Sequence, residues 1–346
     1  MNQKIFSYFL PQFYPTPEND KFWGKGFTDW VSTKNARPLF ENHLQPYKPV
    51  LNGEYKLIKK SDLKKILDYT VDINIKGVIY WHYWFGNGFT TLEKVPKLHL
   101  ETKLINQNYF FAWANANWDK SWQGDDKTII FKQRYDLNQV KDHFNYLIPF
   151  FKDSRYIKYN GNFLFQVNNL ISKEVLNYIK KLNDLVYKEF SCQIHFLIPA
   201  SNVKVKISGV KFSYTGYPPG DIYSKTISYK VQKLKKIFKL QNHPIIIDSQ
   251  TYLSAFKNSL YKYPKTIPCI LSGWDSTARY KNNGVVVKGD ISKLISNQLN
   301  IIKDSNYDHD FILLKAVNEW AEGNVIEPYE LEGKIYEPGL ILKNQL

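Results

Sequence analysis

The chain has 346 residues, of which 43% are hydrophobic and 16% aromatic, enough for a sizeable core, so wholesale disorder is excluded. Two cysteines, Cys192 and Cys269, exclude a disulfide-built scaffold, and no apolar run approaches the roughly 20 residues of a membrane span. Lys+Arg outnumber Asp+Glu by 47 to 32, a net charge of +15, but only Arg37, Arg134, Arg155 and Arg279 are arginine.

Base readout and phosphate forks favour arginine. A diffuse lysine excess in a sequence also rich in Asn, Ile, Tyr and Phe reads as a solvated surface, to which genome bias contributes. No nucleic-acid partner is expected. Zinc-ligand spacing and glycine-rich phosphate loops are missing from the sequence, so neither a metal nor a cofactor is expected.

Met1–Lys4 lead straight into the apolar run Ile5–Leu10, which Pro11 ends. A secretory signal needs a longer apolar region and a small-residue cleavage site, so the expected location is the cytoplasm. Strand-like segments follow at Lys4–Leu10, Gly77–Trp81, Tyr109–Ala114, Asn162–Val167, Ile194–Pro199, Gly209–Tyr214, Thr266–Leu271 and Phe311–Val317, with a further run at Pro244–Asp248 that confuses the count. Helix-like segments include Ser61–Ile75, Leu137–Phe151, Ser172–Phe190, Ser228–Leu240 and Ile291–Asp304. Alternating β and α implies a mostly parallel sheet. About eight such units fit one α/β domain over 1–346, a (β/α)8 TIM barrel with long loops at the C-terminal face of its strands. A doubly wound open sheet is the alternative, but its usual glycine turn after an early strand is missing.

Ser228–Leu240 reads SYKVQKLKKIFKL, with Val231, Leu234 and Phe238 at helical spacing among lysines. An outer helix with its apolar stripe on the core is the preferred reading, because every outer helix carries this pattern. A peripheral contact with an anionic membrane, at the inner face if the protein is cytoplasmic, is kept beside it.

Polar and aromatic groups follow the predicted strands, at the end where barrel enzymes keep their sites. Gln12, then Asp29 and Trp30, follow the first. His82, Tyr83 and Trp84 follow the second. Trp113 ends the third, before Asn115, Asn117, Trp118 and Trp122. Tyr214 and Tyr217 follow the sixth, Trp274, Asp275 and Arg279 the seventh, and Asn318, Glu319, Trp320 and Glu322 the eighth. All nine tryptophans lie in or beside these segments, and none lies between Gln123 and Gly273. Singly, each reads as core or loop packing. As a cluster beside Asn, Asp and Glu they read as a sugar site, where rings stack on apolar sugar faces and polar groups bind hydroxyls. His82, amid Tyr80, Trp81 and Tyr83, reads as a hydroxyl partner rather than a metal ligand. Arg279 reads equally as a fork for a donor phosphate or as a structural partner of Asp275.

The last strand runs into Asn318-Glu319-Trp320-Ala321-Glu322-Gly323. Two glutamates three apart share a face if the chain turns helically, and retaining glycosyl chemistry uses two carboxyl groups about 5 Å apart. A solvated acidic turn is the plainer reading of Glu-x-x-Glu taken alone.

Several motifs in one order carry a resemblance. Tyr8-Phe9-Leu10-Pro11-Gln12-Phe13, Pro17-Glu18-Asn19-Asp20 and Trp23-Gly24-Lys25-Gly26-Phe27-Thr28-Asp29-Trp30 resemble the opening of the WbsX-type glycosyltransferase family. Tyr83-Trp84-Phe85, Trp113-Ala114-Asn115, Asn117-Trp118, Gly273–Arg279 and Asn318–Gly323 continue it over nearly the whole chain. That family is similar to glycoside hydrolase family 99, the endo-α-mannosidases, which implies a (β/α)8 barrel. The resemblance implies catalytic roles for Glu319, as the base that activates the sugar's own 2-hydroxyl, and for Glu322, as acid/base at the glycosidic oxygen, with retention through an anhydro-sugar. Where relatives carry a glutamate after Trp-Ala-Asn, this chain has Ala116, so one carboxylate contact to sugar is lost. The function this implies is a cytoplasmic glycosyltransferase of bacterial surface polysaccharide, O-antigen or capsule. It would pass a sugar from an activated donor, such as a nucleotide-sugar, to a lipid-linked glycan acceptor, the donor being substrate rather than cofactor. A retaining endo-glycosidase and a non-catalytic carbohydrate-binding barrel are the alternatives.

Overall fold

A computed structural model describes residues 3–120, 125–218, 220–263, 265–305, 307 and 310–345. Eight parallel strands form its centre: β1 (Lys4–Phe9), β2 (Ile75–Gly86), β3 (Tyr109–Trp113), β4 (Asn162–Val167), β5 (Ile194–Pro199), β6 (Lys211–Thr215), β7 (Cys269–Leu271) and β8 (Phe311–Lys315). Their order is β6-β5-β4-β3-β2-β1-β8-β7. The ring closes between β6 and the residues before β7, where Gly216 N donates to Ile267 O at 2.8 Å and Ile267 N to Tyr214 O at 2.8 Å. This is the expected (β/α)8 barrel. The predicted strand at Thr266–Leu271 is cut to three residues because only those run in register with β8.

The strands are nearly continuous apolar runs because both faces are covered, the inner by the barrel core and the outer by helices. The helices of eight residues or more are α1 (Lys60–Asp72), α2 (Lys94–Glu101), α3 (Val140–Phe151), α4 (Lys173–Phe190), α5 (Ile227–Ile237), α6 (Ser249–Lys262) and α7 (Ile291–Asp304). Helix α4 buries Val175, Ile179, Leu182 and Val186, the i, i+4, i+7, i+11 stripe of an outer barrel helix. After β5 a single 3-10 turn, Ala200–Asn202, stands in place of a helix. The extra run resolves as a strand, Ile245–Asp248, that pairs with Val285–Lys288 outside the barrel.

Two glycines fix the loops after β7 and β8. Gly273 (φ +124) brings its Cα so near Gly323 O that a Cβ would sit 2.5 Å from it. Gly323 (φ +61) lies against Asp275, where a Cβ would meet the backbone N at 2.9 Å. Both conformations favour glycine, and both contacts leave no room for a side chain.

Candidate active site

The parity of β2 decides which aromatic groups reach the barrel mouth. Side chains alternate along a strand. Trp81 and Tyr83 point inward: Trp81 stacks on Tyr8 at 5.0 Å, and Tyr83 stacks on Trp118 at 5.4 Å. Tyr80, His82 and Trp84 point outward to the helices. His82 Nε2 is 2.9 Å from His143 Nε2 of α3, and the Trp84 ring stacks on His143 at 4.6 Å. Burial holds the His82 imidazole down at about 3, so it stays neutral. The expectation that His82 and Trp84 line the cleft is therefore corrected, since even-numbered residues of this strand form the outer wall.

A cleft of about 270 Å³ opens at the C-terminal ends of the strands. Gln12, Trp81, Tyr83, Trp118, Asn168, Tyr217, Trp274, Arg279, Lys315, Glu319 and Glu322 line it. A hollow of about 570 Å³ at the other end of the barrel, lined by Lys4, Phe6 and Ile157, is larger. In this fold, however, chemistry belongs to the C-terminal face.

Ionic contacts organise the cleft floor. Lys315 Nζ pairs with Glu319 and lies 3.1 Å from Glu322 Oε2. Trp81 Nε1 donates to Glu319 Oε1 at 2.8 Å. Arg279 bridges Glu322 and Asp29, at 2.7 Å from Asp29 Oδ1. The 3-10 turn Trp320–Glu322 brings the two carboxyls onto one ammonium, as an i, i+3 pair on a turning chain allows. Burial pushes the Glu322 carboxyl up, but Lys315 and Arg279 together hold it down at about 2. Burial also pushes Glu319 up, and there it outweighs the pull of Lys315, leaving that carboxyl above its ordinary value. Lys315 is firmly charged: its burial is more than offset by the two glutamates. Two cations thus face three acids, Asp29, Glu319 and Glu322.

The remaining predicted residues support this floor or stand apart from it. Asp29 accepts from Ala321 N at 3.0 Å while it holds Arg279, so it positions the glutamate turn from the first loop. Asn318 exchanges hydrogen bonds with the Leu10 backbone at 2.7 and 3.1 Å and clasps the ends of β1 and β8. Trp30 and Trp320 are buried behind the cleft. Trp30 Nε1 donates to Tyr55 O at 3.0 Å, and Trp320 Nε1 donates to Tyr55 Oη at 3.0 Å. Trp113, expected at the cleft, is fully buried on the outer side of β3, against His143 and Tyr178, with Nε1 on Trp84 O at 2.8 Å. Asn115 ties two loops together through Asn169 N and O and Tyr135 Oη. Asn117 is exposed and accepts from Gln133 N at 2.8 Å. Tyr214 is half-buried against Phe212, away from the cleft lining. Asp275 is buried beneath Trp274, held low against its burial by His43 and Thr277, with Gln45 also donating to it. Arg279 therefore pairs with Asp29 and Glu322 and not with Asp275. Trp122 lies outside the described residues.

Sequence reasoning missed Lys315 and named Trp81 only as one of nine clustered tryptophans. Lys315 is the only charged residue in the apolar run Phe311–Val317. A lone cation in a buried strand is itself a signal that carboxylates face it. Trp81 shares the parity of Tyr83, and the strand alternation, once the register is known, puts both at the mouth.

By fold the protein is a (β/α)8 barrel of the kind seen in endo-α-mannosidases, with an ion-paired glutamate pair at the barrel mouth. It belongs to the family described as "Glycosyltransferase WbsX", which it matches over residues 5–337. A solved "Glycoside hydrolase-like protein" superposes with a TM-score of 0.63 at 13% identity, over 99% of this chain and 92% of that one. The GH99 endo-alpha-mannosidase from Bacteroides thetaiotaomicron superposes with a TM-score of 0.56 at 13% identity, over 98% of this chain and 94% of that one. The "Uncharacterized protein WxcX" of two strains of Xanthomonas campestris pv. campestris is 22% identical over 335 residues, 94% of this chain and 47% of the relative. The chain thus spans about half the length of these curated relatives.

Proposed function

We propose that this protein is a glycosyltransferase of bacterial surface-polysaccharide assembly, O-antigen or capsule. It passes a sugar from an activated donor, such as a nucleotide-sugar, to a lipid-linked glycan acceptor in the cytoplasm, with no cofactor. The observation that carries the reading is the glutamate pair, held on one ammonium at the floor of an aromatic cleft in a chain of this family. Trp81, Trp118, Tyr217 and Trp274 offer ring faces. Buried Gln12 Nε2 and Trp274 Nε1 have no hydrogen-bond partner among the described residues, and both donors suit sugar hydroxyls.

The two carboxyls divide the work because their surroundings push them apart. Glu322, paired with two cations, is the anion of the site and the stabiliser of positive charge at the anomeric carbon. Glu319, raised by burial, is the proton carrier. This is the reverse of the order that the family resemblance implies. Lys315, in contact with both carboxyls at the cleft floor, is the cation that neutralises the donor phosphate as it leaves.

Purified protein is tested with a panel of nucleotide-sugars and glycan acceptors. Transfer should be seen, and it should fall by a factor of 100 or more in Glu319→Gln and in Glu322→Gln, about what general acid–base catalysis contributes. If donors stay intact while a glycan is cleaved, the protein is instead a retaining endo-glycosidase, the reading its fold likeness favours. Glycan binding that survives both substitutions without any turnover would mean a binding barrel.

A further inference from the structure

Helix α5 is amphipathic in the opposite sense to the other barrel helices. It buries none of its side chains. The face it turns to the protein is polar: Gln232 donates to Ile246 O at 2.7 Å and accepts from Ile246 N at 2.9 Å. One turn on, Lys236 donates to His243 O at 2.9 Å and to Asn282 O at 2.6 Å. The face it turns to solvent is apolar: Ile227, Val231, Leu234 and Phe238 are 80, 45, 54 and 69% exposed. At about 100° per residue these four fall in a strip about 60° wide, opposite Gln232 and Lys236. Ile237 and Leu240, 64 and 76% exposed, extend it. The preferred sequence reading, with this stripe on the core, is thereby overturned.

Charge says what covers the strip. Lys230 and Lys233 flank it on one side and Lys235 and Lys239 on the other, all exposed. No acidic residue occurs from Ser224 to Gln241. A second copy of the chain would set these lysines against one another in a self-complementary contact, which disfavours a dimer through this face. An apolar strip between two lysine rows matches a surface with acyl chains beneath anionic headgroups. A neighbouring hollow of about 610 Å³, lined by Ile222, Lys225, Ile227, Ala255 and Lys262, continues the same chemistry toward α6.

We propose that the Ile227–Leu240 face docks the protein on an anionic lipid bilayer, with the apolar strip among the acyl chains and the lysines on lipid phosphates. The inference stands apart from the reaction proposed above. The face also communicates with the cleft: Tyr229 of α5 packs on Tyr223 at 5.7 Å, and Tyr223 on the cleft residue Trp274 at 5.7 Å.

Co-sedimentation of the 346-residue protein with vesicles tests this. Vesicles of phosphatidylcholine with about one third phosphatidylglycerol should bind it, and pure phosphatidylcholine should not. Leu234→Asp with Phe238→Asp should abolish binding. Replacing Lys230, Lys233, Lys235 and Lys239 by Gln should weaken it roughly fivefold each, more than about a hundredfold together. All six positions are exposed, so far-ultraviolet circular dichroism of the variants should match that of the parent. No binding to the anionic vesicles, or equal binding to neutral ones, overturns the proposal. So does a concentration-dependent dimer in sedimentation velocity that the two aspartates dissolve while vesicles stay unbound.

Discussion

Glu327 offers a measurable test of the electrostatics behind the catalytic turn. Its side chain is fully buried, and Tyr55 Oη donates to its Oε1 at 2.7 Å. Tyr55 in turn receives Trp320 Nε1, so the carboxyl sits at the back of the turn that carries Glu319 and Glu322. Its Oε2 has no partner among the described residues. Burial therefore dominates and pushes the carboxyl up to about 8 from 4.5. The sign follows from linkage. In the unfolded chain the group loses its proton near 4.5 and in the folded chain near 8, so the fold loses stability as pH rises between those values and no further above them. At about 1.4 kcal/mol per pH unit the loss is on the order of 4 to 5 kcal/mol. That is a large share of a domain stability of about 5–15 kcal/mol. Glu327→Gln keeps the acceptor for Tyr55 and cannot ionise. Urea unfolding followed by tryptophan fluorescence should find the variant within about 1 kcal/mol of the parent at pH 5 and several kcal/mol more stable at pH 8.5. Parallel stability profiles from pH 5 to 9, or a variant that is weaker at pH 8.5, would refute the reasoning.

Three further substitutions probe the cleft floor. Lys315→Met removes the ammonium that Glu319 and Glu322 share and should cost about 3 kcal/mol at pH 7. Because the depressed Glu322 stabilises the fold above its ordinary range and loses that contribution as pH falls toward 2, the deficit should shrink at pH 3, read by thermal unfolding at the two pH values. Arg279→Lys keeps the charge but cannot span Asp29 and Glu322 together; a stability loss of about 2 kcal/mol and a fall in turnover are expected, from denaturation and transfer assays. Gly323→Ala adds a Cβ at 2.8 Å from Asp275 Cβ in a left-handed conformation and should cost about 3 kcal/mol in urea unfolding, against about 1 for Gly53→Ala, where φ is +53 but nothing lies within 4 Å.

The barrel was legible because eight apolar runs alternate with amphipathic stretches, and its strand order follows from chain order. The glutamate pair was legible because it follows the last buried strand. What the sequence hides is parity and partner. His82, Tyr83 and Trp84 are consecutive, and nothing local says that the middle one faces the cleft and its neighbours face α3; that depends on which parity of β2 its pairing with β1 and β3 turns toward the barrel axis. Arg279 finds its partners in Asp29 and Glu322, positions 250 and 43 residues away. Asp275, only four residues off, is taken by groups from the first loop. Helix α5 misled for another reason: periodicity reports that a helix has two faces, and packing decides which of them turns inward.

The clasp between Leu10 and Asn318 spans 308 residues, and the ladder it completes joins the first strand to the last. At a synthesis rate of about 5–20 residues per second, β1 waits roughly 15–60 s on the ribosome before its second neighbour exists. During that interval Ile5–Leu10, a flat apolar strand, has one open edge, the kind that pairs with other nascent chains. Asp29 waits in the same way for the arginine 250 residues later that pairs with it. The same closure that makes the cleft late to assemble makes it all-or-none. A chain that stops short of Glu322 lacks one of the two carboxyls, and a nick anywhere between the two ends leaves the halves tied through the β1–β8 seam.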